Sequence, residues 1–231
     1  MLHQPQGPVV IELAGLAGAG KSTVASALAQ LDPEIRARPR VSGQLYLASV
    51  PALVPTFLGL HRPFRGMLTK EMKRILRVRA LHRFVHESAP GGTLLFDEGP
   101  VYMLARILVF GGDKIRSSAF ERWWRTAITE WAATLNVVVW LDAPDDVLAA
   151  RIHTRGQSHP LQGAHQSAVS AFFRSYRDAF NRVLAELGGA GGPRQWTIAT
   201  DAGSPGTTAR DLLARLRALS GTASLVPEMT S

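Results

Sequence analysis

The chain has 231 residues, of which 46% are apolar and 19% charged, and its 26 Lys and Arg against 18 Asp and Glu give a net charge of +8. That length fits one α/β domain with a substantial core, while the absence of cysteine excludes a disulfide framework, a thiolate zinc site and a catalytic thiol. No apolar run approaches the ~20 residues of a membrane span, and the polar, proline-bearing residues 1–8 resemble neither a leader nor an anchor, so a cytoplasmic protein without a membrane partner is expected.

The first element in chain order is a strand, Val9-Val10-Ile11-Glu12-Leu13, rich in β-branched residues. Next comes Gly15-Leu16-Ala17-Gly18-Ala19-Gly20-Lys21-Ser22, followed by Thr23 and the helical pattern of residues 22–29. The spacing is that of a phosphate-binding loop, Gly-x-x-x-x-Gly-Lys-Ser/Thr, set between strand and helix as its chemistry demands. Glycines let the backbone curl its N–H groups toward phosphate oxygens, and the new helix aims its positive end at the same point. Lys21 supplies charge for the β- and γ-phosphates and Ser22 a hydroxyl for Mg²⁺. Lysine is otherwise rare, with only Lys70, Lys73 and Lys114 elsewhere in a chain that uses arginine.

Residues 34–42 are charged and proline-broken, with a short second strand expected around Arg40-Val41. The apolar stretch 44–60 contains Pro51 and Pro55, which predict two short helices or a kinked one, expected beside the acceptor. Residues 68–86 read as an amphipathic helix: Met72, Ile75, Leu76, Val78, Leu81, Phe84 and Val85 repeat at helical spacing, opposite Lys70, Lys73, Arg74 and Arg77. Those cations, with Arg125, are candidates for touching an anionic substrate as well as for solubility. They are not interleaved with aromatics, which argues against a nucleic-acid surface.

Thr93-Leu94-Leu95-Phe96 is a short buried-strand pattern that ends in Asp97-Glu98-Gly99-Pro100. A carboxylate at that strand end can hold Mg²⁺, the expected role of Asp97, and Glu98 or Asp97 can take the proton of an attacking hydroxyl. Helices over 101–110 and 117–135 lead to the strand 136–141, closed by Asp142-Ala143-Pro144. A helix over 145–153 follows, then a polar lid-like segment within 151–166 and a helix over 166–187. Arg151 and Arg155, four residues apart, enter that lid where one guanidinium can stack on a base and the other fork onto phosphate. His153, His159 and His165 match no zinc spacing, and Trp123, Trp124 and Trp131 read as core. A last strand over 195–199 and a last helix over 207–219 complete the pattern, leaving a loose tail, 220–231. Alternating strands and helices without a repeat predict one domain, a parallel sheet covered on both faces, with its core over 8–219.

The loop Gly15 through Ser22 with Thr23, the strand end Phe96-Asp97-Glu98, the run Val138-Val139-Trp140-Leu141-Asp142-Ala143-Pro144 and Arg151-Ile152-His153-Thr154-Arg155 together resemble the phosphate-loop nucleoside and nucleotide kinases, in particular the thymidylate kinase and deoxynucleoside kinase branch. The resemblance implies a three-layer fold with a five-stranded parallel sheet and a helical lid, Mg-ATP as donor, a small-molecule phosphoryl acceptor and the homodimeric assembly common among such kinases. It also implies nucleotide contacts from Gly15, Leu16, Ala17, Gly18, Ala19, Gly20, Lys21, Ser22, Thr23, Arg151 and Arg155, catalytic roles for Lys21, Asp97, Glu98 and Arg155, and an adenine pocket helped by residues 200–203. One departure stands out: those families place Asp-Arg or Glu-Arg at the strand end, where this chain has Asp97-Glu98. The acceptor therefore stays open among nucleosides, nucleotides, sugars and other hydroxylated metabolites. A GTP switch lacks its Asn-Lys-x-Asp reader here, and a P-loop ATPase or a regulatory nucleotide-binding protein is the alternative reading.

Overall fold

The computed structural model describes residues 7–60, 70–89, 91–154 and 165–223. Five strands form one parallel sheet: β1 (Val9–Gly15), β2 (Ile35–Ala37), β3 (Thr93–Phe96), β4 (Val137–Asp142) and β5 (Arg194–Ala199), in the spatial order β2-β3-β1-β4-β5. β1 is central, and Val10, Ile11, Leu13 and Ala14 are all buried, because it is covered on both faces and paired on both edges.

The helices are α1 (Lys21–Leu31), α2 (Gly43–Leu60), α3 (Lys70–Glu87), α4 (Pro100–Phe110), α5 (Ser118–Thr134), α6 (Asp145–His153), α7 (Gln166–Gly189) and α8 (Pro205–Ala223), with a 3₁₀ turn at Gly112–Arg116. One group joins α1 to α8; the other joins α4 to α3 and α7, with α5 against α7 and α2 against α3 and α5. Trp123, Trp124 and Trp131 of α5 are buried among these helices. Each parallel crossover carries at least one helix, as a parallel sheet requires.

Four expectations shift. The second strand lies at Ile35–Ala37, upstream of Arg40-Val41, because Ile35 supplies the buried apolar residue and the chain turns away immediately afterwards at Arg38 and Pro39. Of the two alternatives for the stretch 43–60, two short helices fall away: it is one helix that contains Pro51 and Pro55. Both prolines lie on its exposed side, as does Leu47, whose carbonyl loses its helical donor to Pro51 and can turn to water. That helix also corrects the reading that no apolar run is long enough to span a membrane: its 18 residues have a mean hydropathy of 1.3 and suffice by length and composition. Ser49, Leu53 and Phe57 are nonetheless buried. Finally, α8 begins at Pro205 and extends to Ala223, past the expected end at 219.

Candidate functional site

β1 ends at Gly15 in the middle of the sheet, and the loop that follows wraps back to start α1. Gly18 has φ +87°, and a Cβ there would lie 2.8 Å from the Leu148 carbonyl oxygen of α6, so only glycine lets the loop pass this close. Gly20, in the left-handed region, caps α1 without a side-chain hydrogen bond. Gly20 thus brings no side chain to cap the first turn of α1, and the start of the helix lies against the loop, the arrangement that receives an anion. Lys21 Nζ folds back over the loop and donates to the carbonyls of Gly15 (2.8 Å) and Leu16 (2.9 Å), and it lies 5.6 Å from the centre of the Tyr102 ring. The donor set of helix amides, curled backbone and lysine thus fits a polyphosphate.

Beside the loop, a cavity of about 390 Å³ is lined by Gly18, Gly20, Thr23, Arg151, Thr200 and Thr208, among others. Arg151 crosses it. One guanidinium nitrogen donates to the Gly18 carbonyl (3.3 Å) and the Thr200 hydroxyl (3.1 Å), the other to the Thr200 carbonyl (2.7 Å). Thr200 is buried and tied to the Asp142 carbonyl through its amide (2.8 Å) and hydroxyl (3.1 Å). Arg151, expected at the nucleotide, and the 200–203 loop, expected at the base, thus meet in one cavity with the phosphate loop.

The strand-end acids sit on the other side of β1. Register pairs Glu12 with Phe96, which places Asp97 beside the exit of β1. Asp97 is buried at 8% exposure, and its Oδ2 lies 3.8 Å from Arg38 Nε. Glu98 is exposed; its Oε2 is 3.9 Å from an Arg77 guanidinium nitrogen, which also donates to the Glu98 carbonyl at 3.5 Å. The two arginines therefore reach the acidic pair from β2's exit and from α3, where the kinase pattern would supply one from the next position in sequence. Among the described residues no His, Asp and Glu group forms a ready metal cluster; Ser22 and Asp97 provide a hydroxyl and one carboxylate, a donor set that suits Mg²⁺ completed by water and phosphate oxygens. Arg155 and His159 lie outside the described residues.

Four residues with structural consequences at the site were not singled out from the sequence. Glu12 is fully buried, and its carboxylate accepts from the amides of Val101 and Tyr102, both at 2.8 Å, in the first turn of α4. Burial pushes its pKa up to about 8, against the opposing pull of the Tyr102, Val101 and Gly99 amides and the Lys21 charge. A carboxylate within an otherwise apolar strand was the available signal. Arg38 has φ +52°, uncommon for a residue with a side chain, and hydrogen bonds to Ser26 as well as facing Asp97. Arg106, on α4, stacks on Tyr102 and Phe110. Arg177, on α7, donates to both Asp142 oxygens (3.2 and 3.3 Å), to Asp145 (2.6 Å) and to the Ala143 carbonyl (3.2 Å); burial pulls its pKa down, but the Asp142 and Asp145 carboxylates together outweigh it and raise it.

A five-stranded parallel sheet flanked by helices, with a glycine-rich loop leaving its central strand, defines the three-layer P-loop NTPase fold. No family model and no curated protein matches the chain. Solved structures similar to it include deoxyadenosine kinase from M. mycoides with bound dATP, at 13% identity and a TM-score of 0.54 over 90% of this chain and 100% of that one. Thymidylate kinase from Candida albicans is similar at 13% identity and a TM-score of 0.57, with 93% of each chain covered. The YorR protein of Bacillus subtilis, in complex with phosphorylated GDP, follows at 17% identity and a TM-score of 0.52, over 90% of this chain and 96% of that one. At such identities the likeness is one of fold, and it selects no single branch among these proteins.

Proposed function

We propose that the protein is an ATP-dependent small-molecule kinase that transfers the γ-phosphoryl group of Mg-ATP to a hydroxyl or phosphate of a nucleoside-like or nucleotide-like metabolite. One observation carries the reading: the phosphate loop lies between a cavity on one side and the strand-end acids on the other, giving separate places for donor and acceptor. Phosphoryl transfer depends on positioning and charge stabilisation more than on covalent help, so such an arrangement is sufficient in kind. The fold neighbours, which include a deoxyadenosine kinase and a thymidylate kinase, support it.

In this reading Gly15 through Thr23 hold the triphosphate, and Lys21 exchanges its two loop carbonyls for phosphate oxygens. Arg151 and Thr200 bound the base, and Arg155 is assigned to closure over the moving group. Mg²⁺ held by Ser22 and Asp97 would supply charge neutralisation for the triphosphate. Glu98, open to solvent and paired with Arg77 of α3, would orient an acceptor hydroxyl and take its proton, with Asp97 the alternative base. Arg38 steadies Asp97 from β2's exit. A cytoplasmic location, where Mg-ATP is abundant, and a homodimer accompany the proposal.

The test is ADP release from Mg-ATP with and without a panel of nucleosides, nucleotides and sugars. Lys21→Ala is expected to remove at least 100-fold of the acceptor-dependent turnover with its circular dichroism unchanged. Wild-type turnover in that variant, or ADP release that ignores every acceptor, would overturn the kinase reading; the second result would favour an ATPase.

A further inference from the structure

Beyond the strand-end acids, α3 and α4 bring two guanidinium groups to one aromatic platform. Arg74 lies 5.1 Å from the centre of the Phe110 ring; Arg106 lies 5.7 Å from the same ring and 5.5 Å from Tyr102, whose hydroxyl accepts from it at 3.3 Å. The Arg74 side chain is only 13% exposed. One terminal nitrogen of Arg74 and Nε of Arg106 are buried without a hydrogen-bond partner among the described residues. Among the described residues, the carboxylate that faces Arg74 is Glu71, at 3.7 Å. Burial, then the charge of Arg106, holds the Arg74 pKa below the usual arginine range, while burial raises that of Tyr102.

Two like charges that share a ring, with donors out of water and a counterion no nearer than 3.7 Å among the described residues, are a costly arrangement unless something else occupies it. Stacking on aromatics offsets part of that cost but leaves the buried terminal nitrogen of Arg74 and Nε of Arg106 unspent. Those donors belong to planar forks, which match a phosphate or carboxylate group. The platform is also joined to the phosphate loop, since Tyr102 carries Lys21 near its ring and Arg106 on it. Arg77, one helical turn beyond Arg74, pairs with Glu98 and links the same face of α3 to the acidic pair.

We infer that Arg74 and Arg106 form the anion-binding end of the acceptor site, so that the acceptor arrives already carrying a phosphate or carboxylate and is not a neutral nucleoside or sugar. This rests on the kinase reading above and narrows its substrate class. The absence of an arginine after Asp97 ceases to be a gap, because cations from α3 and α4 supply the charge from another direction.

The experiment compares acceptors in pairs that differ in one anionic group: thymidine with dTMP, deoxyadenosine with dAMP, and glucose with glucuronate. Acceptor-dependent ADP release is read in wild type, Arg74→Gln, Arg106→Gln and Arg106→Lys, and binding of a non-hydrolysable ATP analogue is measured by calorimetry. The expected result is a kcat/KM at least 100-fold higher for the anionic member of one pair, with the phosphate and carboxylate arms naming the group. KM for that acceptor should rise tenfold or more in Arg106→Gln and Arg74→Gln and recover partly in Arg106→Lys, with analogue affinity within twofold of wild type showing the donor side and fold intact. Turnover of neutral members as efficient as that of anionic ones, or an unmoved KM in the glutamine variants, would overturn the inference while leaving the kinase standing. No acceptor-dependent ADP release with any member would overturn both.

Discussion

Glu12 is a carboxylate with no access to water, placed where the central strand meets the first turn of α4. Its acceptance of two amide hydrogens fixes the start of that helix, and hence Tyr102 and the Asp97–Gly99 turn, relative to β1. Gly99 is required by the same contact, since a Cβ there would fall 2.6 Å from the Glu12 carboxylate and 2.8 Å from the Phe96 Cβ. Gly99→Ala should therefore cost about 1–3 kcal/mol of stability through overpacking, read as a lowered Tm with the secondary structure retained. With a folded-state pKa near 8 against 4.5 unfolded, the folded protein binds the Glu12 proton more tightly than the unfolded chain. That stabilisation is complete below pH 4.5 and is lost as pH rises to 8, at up to about 1.4 kcal/mol per pH unit. Chemical denaturation between pH 5 and 8 should show this decline in wild type and a flatter profile in Glu12→Gln. A flat wild-type profile would mean that the amide donors, with help from Lys21, keep the carboxylate ionised.

The elements show why some of the site could be read in the sequence and some could not. The phosphate loop is legible because its constraints are local: glycine, lysine and serine spacing within eight consecutive positions encodes the turn and the helix start. The ends of β3 and β4 are legible for the same reason, as apolar runs stopped by acids. Glu12, in contrast, gains its meaning from amides 89 and 90 positions away, and Arg177 from aspartates 32 and 35 positions away; only the strand order brings them together. The basic face of α3 was legible only in part. Helical periodicity put Arg74 and Arg77 opposite the core, but α4 covers that side, so both are only partly exposed. Arg177 joins α7 to the end of β4 and the first turn of α6, the helix that carries Arg151. Arg177→Leu should remove several charge-assisted hydrogen bonds and leave two aspartates close together, lowering stability by about 1–3 kcal/mol after allowance for their partial exposure. Because α6 then loses its anchor, affinity for the ATP analogue should fall several-fold, where a change confined to stability would leave it unmoved. Calorimetric titration of the variant with the analogue checks this.

The whole molecule places its chemistry on one edge of the sheet: the phosphate loop from β1, the acids from β3, Arg177's partners from β4 and the Thr200 loop from β5 all emerge at strand carboxyl ends, where ligands bind in open parallel sheets. A ligand seated there touches segments that otherwise meet through few bonds, such as Arg151 spanning Gly18 and Thr200. Anything that binds the folded chain alone stabilises it by mass action, and a concentration 100 times Kd adds about 2.7 kcal/mol. For a domain near this size each kcal/mol shifts Tm by roughly 2–4 °C, so saturating Mg-ATP should raise Tm by about 5–10 °C. Lys21→Ala should lose most of that shift while keeping its ligand-free Tm close to wild type. Omission of Mg²⁺ should reduce the shift if Ser22 and Asp97 hold the metal, and Asp97→Asn should make the shift insensitive to it. A nucleotide-induced shift of under 1 °C in the wild type at millimolar Mg-ATP would contradict the assignment of the loop, since no binding of the strength a kinase requires could leave the melting temperature unchanged.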